Sequence, residues 1–472
     1  MNARKLLGYA LGPVGSAAIG IVSLPLISWY YPAEDIGRIV LLQTVSALTL
    51  TLAGLGLDQS YIREYHAAEN KAALFKAVIV PPLLLTLLFC GGVAVWRLSW
   101  PSEAVLEISS SVLGLLCLVF FTSSVLSRYF ALILRMQEKA FAFSISQLTP
   151  KVLILVFVLV YVAAALPTDT LTLVLAYALS QAVTVGILAL QTRRELKAAA
   201  AAPLSAPLLK ESLRYGVPLA LGGLAYWGFT SIDRFLLKEL AGLSELGVYS
   251  MAVSFGAIAL IFQNIFSVIW APMVFRWVKE NTNLDKIGGI TESMTGLIAA
   301  LICIVGIFSP LVTWILPEKY APVQFILLSS MLFPLLYTLT EVTGIGINVS
   351  KKTWLITVFS ITALLVNAAL LYVLVPALGA KGAAMSTAVA FWVFSVLKSE
   401  ASARLWLPLP RAKLYGTTFA CLAVCLVYTY FGNSGNYYIF ALFWLAALAA
   451  LYRKHRAAIG ALTAKAKGRL KR

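Results

Sequence analysis

Fourteen mostly apolar stretches, each near the length of a helix that crosses a bilayer, follow one another through this chain and leave almost nothing between them. About 20 helical residues span a hydrocarbon core of about 30 Å, and a helix satisfies its own backbone polar groups. The expected class is therefore an all-α polytopic membrane protein with 14 transmembrane helices, and a composition of 60% hydrophobic and 12% charged residues agrees. The longest interval between spans, Gln191 to Ser212, is too short for a soluble catalytic or nucleotide-binding domain. Any function must sit among the helices.

Lys and Arg fall on alternate connectors. With the N-terminus inside, 28 of them lie on the cytoplasmic side, 5 on the other side and 4 within spans. That bias places both termini in the cytoplasm. The formal charge of +17 is mostly this signal plus a basic tail, which suits anionic headgroups of membrane lipids. No nucleic acid is expected as a partner, because the basic residues are dispersed and no aromatic-lined soluble module accompanies them. Arg4 and Lys5 precede an apolar run too long for a secretory signal, so the first span reads as an uncleaved helix.

The chain restarts after the Gln191 to Ser212 interval. Tyr9 to Pro13 opens the first span and Tyr215 to Pro218 opens the seventh, each followed by an outer turn, Pro32 to Gly37 and Gly242 to Gly247. The spacings between matching anchors, 206 and 210 residues, indicate two pseudo-symmetric six-helix bundles. The expected organisation is a bundle over 1–192, a cytoplasmic linker over 193–212, a second bundle over 213–406, two additional helices over 407–452 and the basic tail over 453–472. An even number of spans per bundle sets the pseudo-twofold axis along the membrane normal, with a cavity at the seam. Gly8, Gly12, Pro13, Gly15 and Gly20 in the first span, and Gly216, Pro218, Gly222, Gly223 and Gly228 in the seventh, permit close helix contact and bending.

No phosphate-binding glycine loop, His-Glu-x-x-His, paired-cysteine motif or nucleophile elbow is present, so an enzyme is not expected. A membrane glycosyltransferase or polymerase would need outer-loop acids, and Glu34, Asp35, Glu103, Asp169, Glu245 and Glu318 read as turn and helix-start residues. Cys90, Cys117, Cys303, Cys421 and Cys425 fall in apolar spans; Cys421 and Cys425 lack a nearby His or acid and read as core thiols, so no metal is expected. His66 and His455 sit in connectors.

Charges inside spans are costly, about 2.5 to 3.5 kcal/mol each on the insertion scale, and normally face a partner, water or a ligand. Asp233 and Arg234 lie together in the seventh span, Glu341 in the tenth, Arg128 in the fourth, Lys151 and Lys398 in the fifth and twelfth, and Asp58 near the end of the second. Neighbours on a helix point about 100° apart, so one of Asp233 and Arg234 can face a cavity while the other joins helices. Lys151 and Lys398 can alternatively snorkel to the interface. Glu341 suits a coupling ion, since burial favours its protonated form. The amides Gln43, Gln59, Gln147, Gln181, Gln263, Asn264, Asn348 and Asn367 could bind sugar hydroxyls or join helices.

Several stretches resemble one family. Ser231-Ile-Asp-Arg-Phe-Leu236 with Glu245-Leu-Gly-Val-Tyr-Ser250, Gly54-Leu-Gly-Leu-Asp58 with Arg63, and Asn348-Val-Ser-Lys-Lys-Thr353 followed by Pro376 to Thr387 are similar to the polysaccharide flippases of the Wzx type, in the multidrug, oligosaccharidyl-lipid and polysaccharide exporter superfamily. The resemblance covers roughly the first twelve spans. It implies a bacterial inner-membrane flippase that moves a polyprenyl-pyrophosphate-linked oligosaccharide, such as an O-antigen or exopolysaccharide unit, by alternating access driven by a proton or sodium gradient and without a bound cofactor. Arg128, Arg234, Lys151, Lys398 and Asn348 are the expected substrate-binding residues, and Asp233, Glu341 and Asp58 the coupling or gating ones. A glycan polymerase and glycosyltransferases are candidate partners, and a monomer is expected. The last two spans resemble those of fourteen-helix peptidoglycan-precursor flippases, whose first-helix arginines are absent here. A drug or metabolite antiporter of the same superfamily is the alternative.

Overall fold

The computed structural model describes residues 3–470, with side chains described except at 3–11, 13, 17, 257, 258, 261, 264, 265, 268 and 454–470. The expectations resting on Gly8, Pro13, Asn264 and His455 fall outside the described surroundings. Helices α1 (Ala3–Tyr30), α2 (Ala33–Gly54), α3 (Leu57–Glu64), α4 (Lys71–Arg97), α5 (Trp100–Leu106), α6 (Ser111–Met136), α7 (Ala140–Ala163), α8 (Thr170–Gln191) and α9 (Arg193–Ala201) form the first half. The second comprises α10 (Ala206–Glu280), α11 (Lys286–Phe308), α12 (Leu311–Ile315), α13 (Val323–Thr343), α14 (Ile345–Val349), α15 (Trp354–Leu378) and α16 (Ala380–Leu405). After it come α17 (Arg411–Phe431) and α18 (Tyr437–Leu470).

Ten of these helices are long and apolar enough to cross a membrane, and α1 and α18 add the apolar stretches Val14–Tyr30 and Tyr437–Arg453. The 75 residues of α10 would reach about 110 Å if straight, far beyond any bilayer. They break at Gly242, whose φ of 89° and ψ of 173° lie outside helical space, into limbs over 206–241 and 243–280. The arrangement is consistent with fourteen spans, and the expected outer turn from Gly242 to Gly247 contracts to one glycine. Two further breaks fall inside expected spans. Leu55 and Gly56, both at positive φ, separate α2 from α3, and Gly344 separates α13 from α14. The expected linker is also mostly helical. α9 is tied to the first half, where Lys76 Nζ donates to the carbonyls of Ala200 and Ala202 and Gln137 Nε2 donates to Glu195.

Four helix starts, those of α4, α6, α8 and α10, are capped by polar side chains. Asn70 Oδ1 accepts from the Ala73 N–H, and Asp169 forms a capping box with Thr172. The halves repeat their pairing. Gly12 and Gly15 of α1 lie against Ser144 and Leu148 of α7, and Gly222 and Gly228 of the first α10 limb lie against Thr357 and Leu364 of α15. At the seam, a methyl group on Gly37 of α2 would come within 2.3 Å of the Leu243 carbonyl oxygen, and one on Gly247 within 2.0 Å of the Ala33 carbonyl oxygen. This reciprocal crossing puts α2 and the second α10 limb on the pseudo-twofold axis. Aromatic rings fasten the second half: Phe391 stacks on Phe229 at 4.2 Å and meets Phe333, tilted by 37°, at the same distance. The last two helices pack on its outside, where Trp444 of α18 meets Gly306 of α11 and Tyr428 of α17.

Candidate substrate cavity

The repeat leaves a cavity of about 450 Å³ between the halves. Its walls come from α1, α2, α7 and α8 on one side and from both α10 limbs on the other. Helical spacing explains the lining. Trp227, Ser231 and Arg234 lie at i, i+4 and i+7 on the first α10 limb, and Val40, Gln43, Thr44 and Ala47 repeat that period on α2. Among the described residues, two cations reach the cavity, Lys151 from the first half and Arg234 from the second, and no carboxylate lines it. Lys151 Nζ donates to the Ser16 carbonyl of α1 at 2.7 Å. Arg234 Nη1 donates to the Thr230 carbonyl at 3.2 Å and to Ser231 Oγ at 3.4 Å. Neither makes an ion pair within 4 Å among the described residues, so both charges are available to an anion.

Asp233 points the other way. It is 4% exposed and accepts hydrogen bonds from the Tyr249 hydroxyl and from the Arg234 backbone N–H, while Tyr249 reaches Thr387 of α16. The pair at 233 and 234 is thus divided between helix joining and cavity lining. Arg128 lies in a second, smaller cavity of about 260 Å³, beside the Leu55–Gly56 break and Leu219 to Gly223. There it forms an ion pair of 2.7 Å with Asp58, which also accepts from Gln59 Nε2. Lys398 is 6% exposed inside the second half, donating to Thr340 Oγ1 at 3.1 Å over the rings of Tyr337 and Phe394. Glu341 is half-buried nearby, close enough for its charge to act on Lys398, Tyr226 and Tyr337. Asn348 is exposed on α14. Lys398, Glu341 and Asn348 do not line the central cavity. Sequence reasoning gave no site role to Trp227 and Ser250, which do; the signal for Trp227 was helical register with Arg234 rather than charge, whereas Ser250 lies beyond the Gly242 break and has no such register.

Both ends of the seam are closed by backbone contact. At one end, the Gly37–Gly247 crossing is joined by Trp29 Nε1 donating to the Ile315 carbonyl, Lys319 Nζ donating to the Tyr31 carbonyl, and a Lys238–Glu107 ion pair of 2.9 Å. Burial lowers the Lys319 pKa from its ordinary value, an effect that Asp35 partly offsets. At the opposite end, a methyl on Gly56 would lie 2.2 Å from the Gly216 carbonyl oxygen, and the Arg63 guanidinium sits 4.4 Å over the Tyr215 ring. Toward the bilayer, α1 and the second α10 limb also border a pocket of about 460 Å³ lined by Ile21, Val22, Pro25, Leu26, Phe255 and other apolar or aromatic groups.

A family model described as polysaccharide biosynthesis protein matches residues 3–278. Among solved structures, the chain is similar to the lipid II flippase MurJ in an inward closed conformation, at 12% identity and a TM-score of 0.70, covering 96% of this chain and 99% of that one. It is also similar to an inward-facing multidrug resistance MATE family transporter of the MOP superfamily, at 17% identity and a TM-score of 0.61 over 89% and 99% of the two chains. A MOP superfamily transporter from Pyrococcus furiosus, whose binding pocket is described as reversed in polarity, follows at 15% identity and a TM-score of 0.56 over 85% and 95%. No curated protein sequence matches. The chain is a multi-pass membrane protein with the fold of these flippases and transporters and, its family model spanning more than half of its length, it belongs to the polysaccharide biosynthesis protein family.

Proposed function

We propose that the protein is a flippase that carries a polyprenyl-pyrophosphate-linked oligosaccharide through the central cavity by alternating access. The observation that carries this reading is the cavity itself: Lys151 and Arg234 line it from opposite halves, and no carboxylate does. A pyrophosphate cannot enter hydrocarbon unaided, and an arginine fork offers it charge-assisted hydrogen bonds. A cationic drug would want the opposite lining, since Asp233 is turned into Tyr249 and Asp58 is held by Arg128. The apolar pocket between α1 and the second α10 limb gives the lipid chain a place to stay in the bilayer while the glycan passes inside. In this reading residues 1–192 and 213–406 move as two bodies, parting the inner and outer seams in turn. Arg128 meets the headgroup on the cytoplasmic side, and Asp233 and Glu341 carry the coupling to an ion gradient. The family match supports a polysaccharide pathway, with the bacterial inner membrane as the location.

The test is translocation in proteoliposomes, using a labelled polyprenyl-pyrophosphate oligosaccharide whose arrival in the opposite leaflet is read with an impermeant glycan-modifying enzyme. Losing a charged hydrogen bond of about 1.5 to 3 kcal/mol corresponds to roughly tenfold or more in affinity. Arg234→Ala is expected to slow translocation at least tenfold and Arg234→Lys less. Wild-type rates in both Arg234→Ala and Lys151→Ala would overturn the reading.

A further inference from the structure

We propose that Trp227 is a platform for a neutral sugar ring adjoining the pyrophosphate, with its indole N–H and the Ser250 hydroxyl as the groups that recognise the sugar. The inference rests on the flippase reading and names the class of glycan that this cavity takes.

Register supplies the first argument. Trp227 and Arg234 lie on one face of the first α10 limb, seven residues and therefore about 10 Å apart along the helix axis. With a phosphate held at Arg234 and the lipid in the apolar pocket against Ile21 to Tyr30 and Phe255, which Trp227 does not line, the sugar is the part of the cargo left for the indole. The ring is braced from behind by Phe235, 5.9 Å away and tilted by 61°, so it can present a fixed face.

Hydrogen-bonding capacity supplies the second. Most lining hydroxyls are committed to their own helices: Ser23 donates to the Ile19 carbonyl, Thr44 to Val40 and Ser254 to Met251. Trp227 Nε1 and Ser250 Oγ are different, for neither has a hydrogen-bond partner among the described residues. Buried polar groups are nearly always paired, and an unpaired one costs about 1 to 3 kcal/mol. A donor on an aromatic ring and a free hydroxyl in one cavity fit a pyranose, which brings a C–H face for the indole and hydroxyls for both partners.

Charge balance supplies the third. A pyrophosphate diester carries two negative charges and the cavity offers two cations, so none is left over for an acidic sugar. The negative face of the indole also disfavours a carboxylate over it.

The experiment measures equilibrium binding to the full-length protein in nanodiscs of three short-chain polyprenyl pyrophosphate diesters: one with only a methyl group in place of the sugar (the bare lipid), one bearing one neutral hexose, and one bearing one uronic acid. Wild type is expected to bind the hexosyl lipid about tenfold tighter than the bare one and the uronosyl lipid no tighter than the bare one. Trp227→Ala should erase the hexose gain without changing affinity for the bare lipid. Trp227→Phe, which keeps the platform and guards against a folding defect, and Ser250→Ala should each lose part of the gain. Absence of a hexose gain in wild type, retention of the gain in Trp227→Ala, equal weakening of both lipids by Trp227→Ala, or preference for the uronosyl lipid would each overturn the proposal while leaving the flippase reading standing. Failure of wild type to bind any of the three lipids would sink that reading, and this one with it.

Discussion

At the scale of single residues, the in-span charges were legible as a set and illegible as partners. Arg128 and Asp58 are 70 positions apart, and nothing in their local sequence says that they meet at 2.7 Å across α6 and α3. Adjacent Asp233 and Arg234 were easier, because helical geometry alone sends neighbours to different sides, and they occupy a helix joint and the cavity. Trp227 was passed over because a search for charge and amides skips an aromatic in an apolar span. The Arg128–Asp58 pair is partly exposed, with side chains 39% and 20% accessible, so its worth is modest, about 0.5 to 1 kcal/mol. Arg128→Ala and Asp58→Ala are each expected to lower the melting temperature by a few degrees at most, and the double variant by no more than the larger single effect. Thermal unfolding of the purified protein measures this; additive losses would show that the two side chains act separately.

At the scale of elements, hydropathy located the spans and misplaced their breaks. Apolarity is a sum over some 20 residues and is blind to one residue's backbone angles. It therefore cannot see α2 stop at Leu55 and Gly56, α13 yield at Gly344, or both α10 limbs join through Gly242 alone. Gly216, one of the glycines expected to permit close contact and bending, lets backbones touch, and so do Gly37, Gly56 and Gly247, which had no assigned role. Gly37 and Gly247 close one end of the seam, and Gly56 and Gly216 the other, at separations that no side chain permits. Valine at Gly37 and Gly247 together must therefore wedge α2 off the second α10 limb on the outer side. In a cysteine-depleted background, an impermeant maleimide added outside is expected to label Ser254→Cys in the wedged protein and not in its parent. Equal labelling of the two would mean that the crossing does not guard the cavity.

The whole molecule was the most legible scale, because solvent decides it: a chain with this apolar pattern can only be helical in a bilayer. The twin halves were visible as repeated anchors, and the Ala33–Gly37 and Leu243–Gly247 crossing gives that repeat a physical form. The sequence placed the last two helices but not their packing, which depends on contacts far apart in the chain. Trp444 is 2% exposed and lies against Gly306, where a methyl group would fall 2.6 Å from its ring, while Tyr428 closes the same cluster. α17 and α18 contribute no residue to the central cavity. They are therefore expected to stabilise the second half without taking part in cargo recognition. Removing a buried tryptophan costs about 3 to 5 kcal/mol, so Trp444→Ala should lower the melting temperature by several degrees, and Gly306→Leu should do likewise by forcing the ring out. Below their own melting transitions, both variants should bind a polyprenyl pyrophosphate as wild type does. A tenfold loss of that binding at an unchanged melting temperature would instead put the α11–α18 contact on the route of the cargo, since a purely structural contact has no means to weaken a ligand held by Lys151 and Arg234.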